Sequence, residues 1–230
     1  MSNLSTTSNL THNKETKKRH YESAEYLGSN YERLGSYRYQ LLWSLHNNPS
    51  SILLVGKGDG LVSQLIERAG VKLTTLDIDP DLSPDIIGSV ESINSPDKSF
   101  DVSLCCQILE HLPYERFEPA LHELYRVTRN RLILSLPDIR YYVLIHFSVP
   151  RVTINWQFSL PRFPRKEIPT IIPEVDAHFW EIGYKLYPIS KIKRAITDAG
   201  WNISRIQRCR DVPYHTFIEC NTKPQQFSFS

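Results

Sequence analysis

Ser51-Ile-Leu-Leu-Val-Gly-Lys-Gly-Asp-Gly60, followed by Leu61-Val-Ser-Gln-Leu-Ile-Glu-Arg-Ala-Gly70, is the stretch on which the reading of this chain turns. Ser51 to Val55 is a continuous apolar run of strand length, as expected for a strand buried on both faces of a parallel sheet. After Gly60 the spacing of Leu61, Val62, Leu65, Ile66 and Ala69 switches to the helical period, and Gly70 closes the helix. The glycines between the two elements let the backbone turn sharply and approach a ligand, while free N–H groups at the helix start favour polar atoms. Leu61 stands where a dinucleotide fingerprint needs its third glycine, and no Gly-Lys-Ser/Thr phosphate loop is present. The next strand, Val71 to Asp77, ends in a carboxylate able to accept both hydroxyls of a ribose laid across the strand ends. Together these features imply an adenosine-type ligand.

Working outward, Phe100 to Cys106 and Arg131 to Leu136 read as further buried strands, and Phe117, Ala120, Leu121, Leu124 and Val127 mark a helix between them. Strands alternating with helices indicate a doubly wound α/β sheet. Ser190 is a plausible N-cap for a helix with Ile192, Ala195, Ile196 and Ala199 inward, closed by Gly200. Two strands, Trp201 to Gln207 and Tyr214 to Cys220, follow and are expected to pair as an antiparallel hairpin. Upstream, Tyr31, Leu34, Tyr39, Leu42 and Leu45 suit amphipathic helices within residues 21–46, stopped by Asn47-Asn48-Pro49. Met1 to His20 is polar and lacks the apolar run of a secretory signal, so a disordered tail ahead of one domain spanning 21–230 is expected. An irregular insertion at about 138–187, within a stretch of seven prolines from Pro137 to Pro188, is expected to lie over one face of the sheet as a substrate cap.

The chain has 230 residues, a formal net charge of +2 and 40% hydrophobic residues, which excludes disorder throughout and gives no global nucleic-acid signature. Its longest strongly apolar stretch, Tyr141 to Val149, is nine residues, far short of the ~20 a membrane-spanning helix needs. Cys105, Cys106, Cys209 and Cys220 show no CxxC spacing, so reduced thiols in a cytoplasm are expected. Near-neutrality conceals local charge. Met1 to His20 carries four cations against Glu15, and Ile139 to Ile172 carries five against Glu167, leaving the remainder net acidic.

Five blocks in this order and spacing resemble the class I S-adenosylmethionine-dependent methyltransferases. Ile52 to Gly60 is similar to the first motif of that family, Leu76-Asp-Ile-Asp-Pro80 to the second and Gly88-Ser-Val-Glu91 to the third; Ser99 to Leu112 is similar to the fourth strand with its following loop, and Leu121 to Pro137 to the next helix and strand. The resemblance, from Ser51 to Cys220, implies a Rossmann-like fold: a mostly parallel seven-stranded sheet with a C-terminal antiparallel hairpin. It also implies S-adenosylmethionine as cofactor, held by Gly56, Lys57, Gly58, Gly60, Asp77, Ile78, Ser89, Val90 and Gln107, with Asp77 on the ribose and Ile78 against the adenine. Three departures stand out. Leu54 replaces an acid that helps to hold the methionine end, Ser89 replaces an Asp that caps the adenine amino group, and Pro80 to Gly88 is too short for the usual second helix.

Methyl transfer is an in-line displacement at a sulfonium carbon, so the protein supplies orientation and, for a hydroxyl or amine acceptor, a base. His178 and His111 are the candidates. Arg140, Arg151, Arg162, Arg165 and Lys166 interleaved with aromatics suit a small acceptor that is acidic or sugar-like, with oxygen as the methylated atom. RNA methylation and a non-catalytic scaffold are the rival readings, and no feature specifies an oligomeric state. Metal chemistry is not expected. Asp77-x-Asp79-x-Asp81 lacks the Gly and Glu of a calcium loop, and Gln107-x-x-Glu110-His111 begins with an amide where the Glu-x-x-Glu-His metal box of some family members has a carboxylate.

Overall fold

The computed structural model describes residues 31–163 and 178–222. The expected tail, the start of the N-terminal helices, Arg165, Lys166 and several of the insertion's prolines lie outside the described residues. Helix α1 (Tyr31–Ser44) precedes β1 (Ser51–Val55), α2 (Leu61–Arg68), β2 (Lys72–Asp77), β3 (Ile86–Ile87), β4 (Phe100–Cys106), α3 (Phe117–Val127) and β5 (Thr128–Pro137). The chain continues through β6 (Tyr141–Val149), β7 (Val152–Leu160), α4 (Ile189–Asp198), β8 (Asn202–Arg208) and β9 (His215–Asn221).

The main sheet has seven strands in the order β3-β2-β1-β4-β5-β9-β8. β3, β2, β1, β4 and β5 run parallel, whereas β9 pairs antiparallel with both β5 and β8. This is the doubly wound architecture with a terminal antiparallel hairpin, and the reversal of strand order, with β2 on one side of β1 and β4 on the other, opens a crevice at the strand carboxyl ends. Side-chain alternation along β1 feeds two cores. Leu53 and Val55 pack with Leu124, Leu134 and Ile196 under α3 and α4, while Ile52 and Leu54 pack with Val62, Ile66, Trp43 and Phe217 under α1 and α2.

Local chemistry explains the element ends. The Arg131 guanidinium, buried between β5 and α1, donates to the carbonyls of Trp43, at 2.9 Å, and of Ser44 and His46, satisfying helix-end acceptors that would otherwise be orphaned. Ser190 is not the N-cap of α4. Pro188 occupies that position and its carbonyl accepts from Lys191 N–H at 2.9 Å, which starts the helix two residues earlier and puts Ser190 inside the first turn. Between β2 and β3 only a 3₁₀ turn, Pro80–Leu82, fits.

The insertion differs from expectation in shape. Tyr141 to Leu160 do not lie over the sheet; β6 and β7 form a two-stranded ribbon of their own, with most of its apolar side chains exposed. Fully extended strands bring most apolar residues of this run, though not Leu144, onto one side, and the main sheet, already covered on both faces, offers that side no partner.

Candidate functional site

At the carboxyl ends of β1, β2 and β4 lies a cleft of about 550 Å³, within the usual size for small-ligand sites. The loop after β1 forms its floor. Gly56 has φ +83°, and a Cβ there would lie 2.2 Å from Ile108 Cδ1, so this position needs glycine both for its backbone angle and for the close packing of the opposite loop. The Asp77 carboxylate ties loop and strand together. Its Oδ2 accepts the Lys57 N–H at 2.7 Å and its Oδ1 the Asp79 N–H at 2.9 Å, which fixes the carboxylate at the cleft wall. Asp59 Oδ1 accepts the Leu61 N–H that begins α2, and Asp59 Oδ2 accepts the Tyr37 hydroxyl at 2.5 Å.

Gly56, Lys57, Gly58, Asp77, Ile78, Ser89, Val90, Gln107 and His111 all line this cleft. Gly60 does not; it sits at the start of α2, where its carbonyl accepts from Gln64 N–H. Lys57 directs its ammonium away from the cleft to the Ser83 carbonyl at 2.6 Å. Ile78 is 76% exposed at the rim, a position from which it can cover a flat ring. The Ser89 hydroxyl accepts the Glu91 N–H at 3.2 Å, closing its own loop. Leu54 and Val62 contribute an apolar wall.

Beside the cleft, long-range folding assembles a second group. His111 ends a 3₁₀ turn after β4, and the ring of His178 meets it edge to face with centroids 4.9 Å apart. The segment carrying His178 is stapled down. Phe179 N–H donates to the Glu110 carbonyl at 2.8 Å, and the buried Trp180 indole donates to the Leu112 carbonyl at 3.0 Å. His178 Nδ1 lies 2.8 Å from Glu181 Oε1, which also accepts the Tyr214 hydroxyl at 2.6 Å. A carboxylate on Nδ1–H selects the tautomer whose Nε2 is basic, the arrangement that orients a general base. Burial and the hydrogen bond to Glu181 keep the Tyr214 phenol protonated by pushing its pKa up.

Glu110 is the anomaly of this group. It is fully buried, neither carboxylate oxygen has a hydrogen-bond partner among the described residues, and burial pushes its pKa up to about 8 despite the opposing influence of His178. Potential ligand atoms of Glu110, His111 and His178 lie within 4.8 Å of one another, close enough to hold a cation. The position that would add a carboxylate to that set is the Gln107 amide, whose nitrogen donates to Ser135 Oγ at 3.2 Å. His215 lines the cleft from β9, its Nδ1 3.1 Å from Ser36 Oγ, and burial lowers its pKa to about 4, so it is neutral.

A family model described as a methyltransferase domain matches residues 53–135, the span that builds the cleft's floor and His111. Over that span the chain is similar to a methyltransferase domain. Solved structures share its architecture at low identity. The N-methyltransferase NodS from Bradyrhizobium japonicum, in complex with S-adenosylhomocysteine, aligns at TM-score 0.59 and 11% identity over 90% or more of both chains, 91% of this one and 98% of that. The Burkholderia thailandensis 1,6-didemethyltoxoflavin-N1-methyltransferase, with 1,6-didemethyltoxoflavin and S-adenosylhomocysteine bound, aligns at 0.56 and 12% over 90% of this chain and 87% of that one. The [4+2]-cyclase SpnF aligns at 0.56 and 12% over 83% and 80%. No curated protein sequence matches the chain.

The sequence reading omitted Tyr37, Asp59, Glu181, Tyr214 and His215. Asp59 was detectable, because it precedes the helix within the glycine turn. The others sit on elements distant in sequence, and no local pattern signals that Tyr214 on the β8–β9 link meets Glu181. The described arginines of the insertion, Arg140, Arg151 and Arg162, do not line the cleft; Arg33 from α1 does. Arg140 is bound to the buried Asp138 carboxylate at 2.7 Å, which accounts for its charge structurally.

Proposed function

We propose that this domain transfers a methyl group from S-adenosylmethionine to an oxygen of a small molecule or of a glycan or lipid precursor. The observation that carries this reading is the His178–Glu181–Tyr214 network beside His111 at the edge of a cleft whose far wall holds Asp77. Cofactor binding falls to Gly56, Gly58, Asp77, Ile78, Ser89, Val90 and Gln107. Asp77, already oriented by two backbone donors, presents its remaining lone pairs to the ribose hydroxyls, while Ile78 covers the adenine. The cofactor supplies an electrophilic methyl group. His178, polarised through Nδ1 by Glu181, accepts the acceptor's proton at Nε2, and His111 packs against its ring to hold the orientation. Arg33 at the cleft, instead of the insertion arginines, supports an acidic acceptor. The four free cysteines fit a cytoplasmic setting, and among the described residues no helix is long and apolar enough to cross a membrane.

The transfer is metal-free on this reading, because Gln107 offers an amide and Glu110 lies in an environment that keeps it protonated. A stoichiometric divalent ion in purified protein would overturn that part. The main test is calorimetric titration with S-adenosylmethionine, followed by transfer of labelled methyl groups to a panel of hydroxylated small molecules. Binding with transfer that is abolished in His178→Ala is the expected result. A second reading, a non-catalytic scaffold of the same fold, is favoured by the apolar Leu54 and by Ser89 where carboxylates would strengthen cofactor binding. Failure to bind the cofactor at millimolar concentration would establish it over the first.

A further inference from the structure

The ribbon β6–β7 is amphipathic to a degree that its place in the fold does not require. Because directly paired residues of antiparallel strands project to the same side, the register sorts the eighteen paired residues of β6 and β7 into two faces. One face consists of the pairs Tyr141–Leu160, Val143–Phe158, Ile145–Trp156, Phe147–Ile154 and Val149–Val152, and every one of these residues is apolar or aromatic. The other consists of Tyr142–Ser159, Leu144–Gln157, His146–Asn155 and Ser148–Thr153; the last two pairs hydrogen-bond across the ribbon, and the Tyr142 hydroxyl donates diagonally to Gln157. Of the ten residues on the apolar face, nine are between 42% and 66% exposed. Among the described residues the ribbon pairs with no other strand. A two-stranded ribbon on its own is marginally stable in water, and an apolar face of this extent on a protein surface marks an interaction site.

We propose that the apolar face of β6–β7 is a dimer interface whose occupant is the same face of a second copy. Three observations select this partner. First, the face is a continuous apolar surface of five rungs, so a two-fold axis can set it against the same face of a second copy with apolar residues meeting apolar residues throughout. With the two-fold axis along the strands, Val143 meets Phe158 of the second copy and Ile145 meets Trp156. With the axis across them, Val143 meets Phe147 and Ile154 meets Phe158. Both arrangements are closed, and the first sets the smaller Val143 and Ile145 against the larger Phe158 and Trp156, which favours interdigitation. Second, charge excludes the main competitor. Arg151, in the turn, is the one charged residue from Tyr141 to Leu160, whereas an element that lies on an anionic lipid surface carries basic residues along its polar face. Third, the size suffices. Ten apolar side chains per copy, each about half exposed, give a joint buried area on the order of 1,200 Å², at the lower bound for stable interfaces.

The base of the ribbon is built to transmit position rather than to swing. Arg208 on β8 donates to the carbonyls of Asp138 at 2.7 Å and Arg140 at 2.9 Å, and its guanidinium stacks on the Tyr142 ring at 5.3 Å. Asp138 N–H in turn donates to the carbonyl of Tyr214, the residue that binds Glu181 in the acceptor-side network. Pairing of two ribbons therefore anchors a segment one residue contact away from the site.

Sedimentation velocity of the full chain over a concentration series tests the proposal. Wild type is expected to be a dimer, and Ile145→Asp, at the central rung, should weaken association by about 100-fold or more. Gln157→Glu puts the same charge on the opposite face of the same ribbon and should leave the dimer intact. Thermal melts of both variants separate dissociation from unfolding, since Ile145 touches neither core cluster. A wild-type monomer at about 50 μM, or a dimer that survives Ile145→Asp, overturns the proposal. So does a monomer that co-sediments with phosphatidylglycerol vesicles and loses that binding on Ile145→Asp, which would make the face a lipid-docking surface.

Discussion

The two halves of the cleft are constructed by different means. On the cofactor side, the candidate residues other than Gln107 lie within the short contiguous blocks 54–60, 76–79 and 88–90, and backbone groups do much of the work: the glycine turn, the N–H donors that orient Asp77 and the start of α2. On the acceptor side, Glu110, His111, His178, Glu181, Tyr214 and His215 come from three separate regions, and side chains meet side chains. A backbone-built half tolerates variation in the residues around it. A side-chain-built half depends on each member, which is where specificity for an acceptor is set.

The sharpest way to break this comparison is at His178. His178→Ala should lower turnover by about 10²–10⁴-fold while leaving cofactor affinity within a factor of about two, because the base acts on the acceptor. Single-turnover methyl transfer and calorimetry on the same preparation read the two quantities separately. A parallel fall in both would show that the halves are one unit. Asp77→Ala is the converse. Loss of a carboxylate that holds the loop and accepts from the ribose should weaken S-adenosylmethionine by about 10–100-fold. Calorimetry that shows unchanged affinity would remove Asp77 from the ribose site.

The same division explains what was legible in the sequence. The strand–turn–helix at Ser51 to Gly70, the acid at the end of β2 and the C-terminal hairpin were readable because their signals are periodicity, glycine placement and order, all local. All the cofactor-side candidates read from those signals line the cleft except Gly60, which starts α2. On the acceptor side, His111 and His178 were readable as residue types but not as neighbours, since 67 positions separate them and the contact depends on Trp180 docking under Leu112. The insertion misled for a physical reason. Alternation from Tyr141 to Leu160 specifies an amphipathic ribbon, but sequence periodicity does not say what the apolar face covers, and the basic charge around it suggested an acceptor cap.

Glu110 gives a smaller effect that probes how the acceptor half is held. Its folded pKa of about 8 exceeds the ordinary 4.5, so unfolding releases its proton at any pH between the two values. The stabilising contribution of the buried neutral carboxyl is complete below about pH 4.5 and is lost as pH rises toward 8. Glu110→Gln is neutral throughout, so the variant should gain stability relative to wild type between pH 5 and pH 8, on the order of 2 kcal/mol. Urea melts of both proteins at the two pH values measure this difference. A difference that does not change with pH would mean that Glu110 is charged in the folded protein, and hence that an unrecognised cationic partner compensates it.

The smallest expected effect lies at the one element that serves both halves. Helix α1 sends the Tyr37 hydroxyl to Asp59 on the cofactor side and the Ser36 hydroxyl to His215 on the other. Tyr37→Phe removes a hydrogen bond to a carboxylate but leaves Asp59 Oδ1 accepting from Leu61 N–H, so the loop keeps its fold and loses only part of its order. A net worth of about 0.5–1.5 kcal/mol for such a bond corresponds to a roughly 2–10-fold weaker cofactor affinity. Calorimetry decides between two pictures. A loss in that range makes α1 a latch that tunes a loop already formed by its own backbone. A loss as large as that of Asp77→Ala would mean that the cofactor half also depends on a distant side chain, and the contrast between the two halves would then be one of degree.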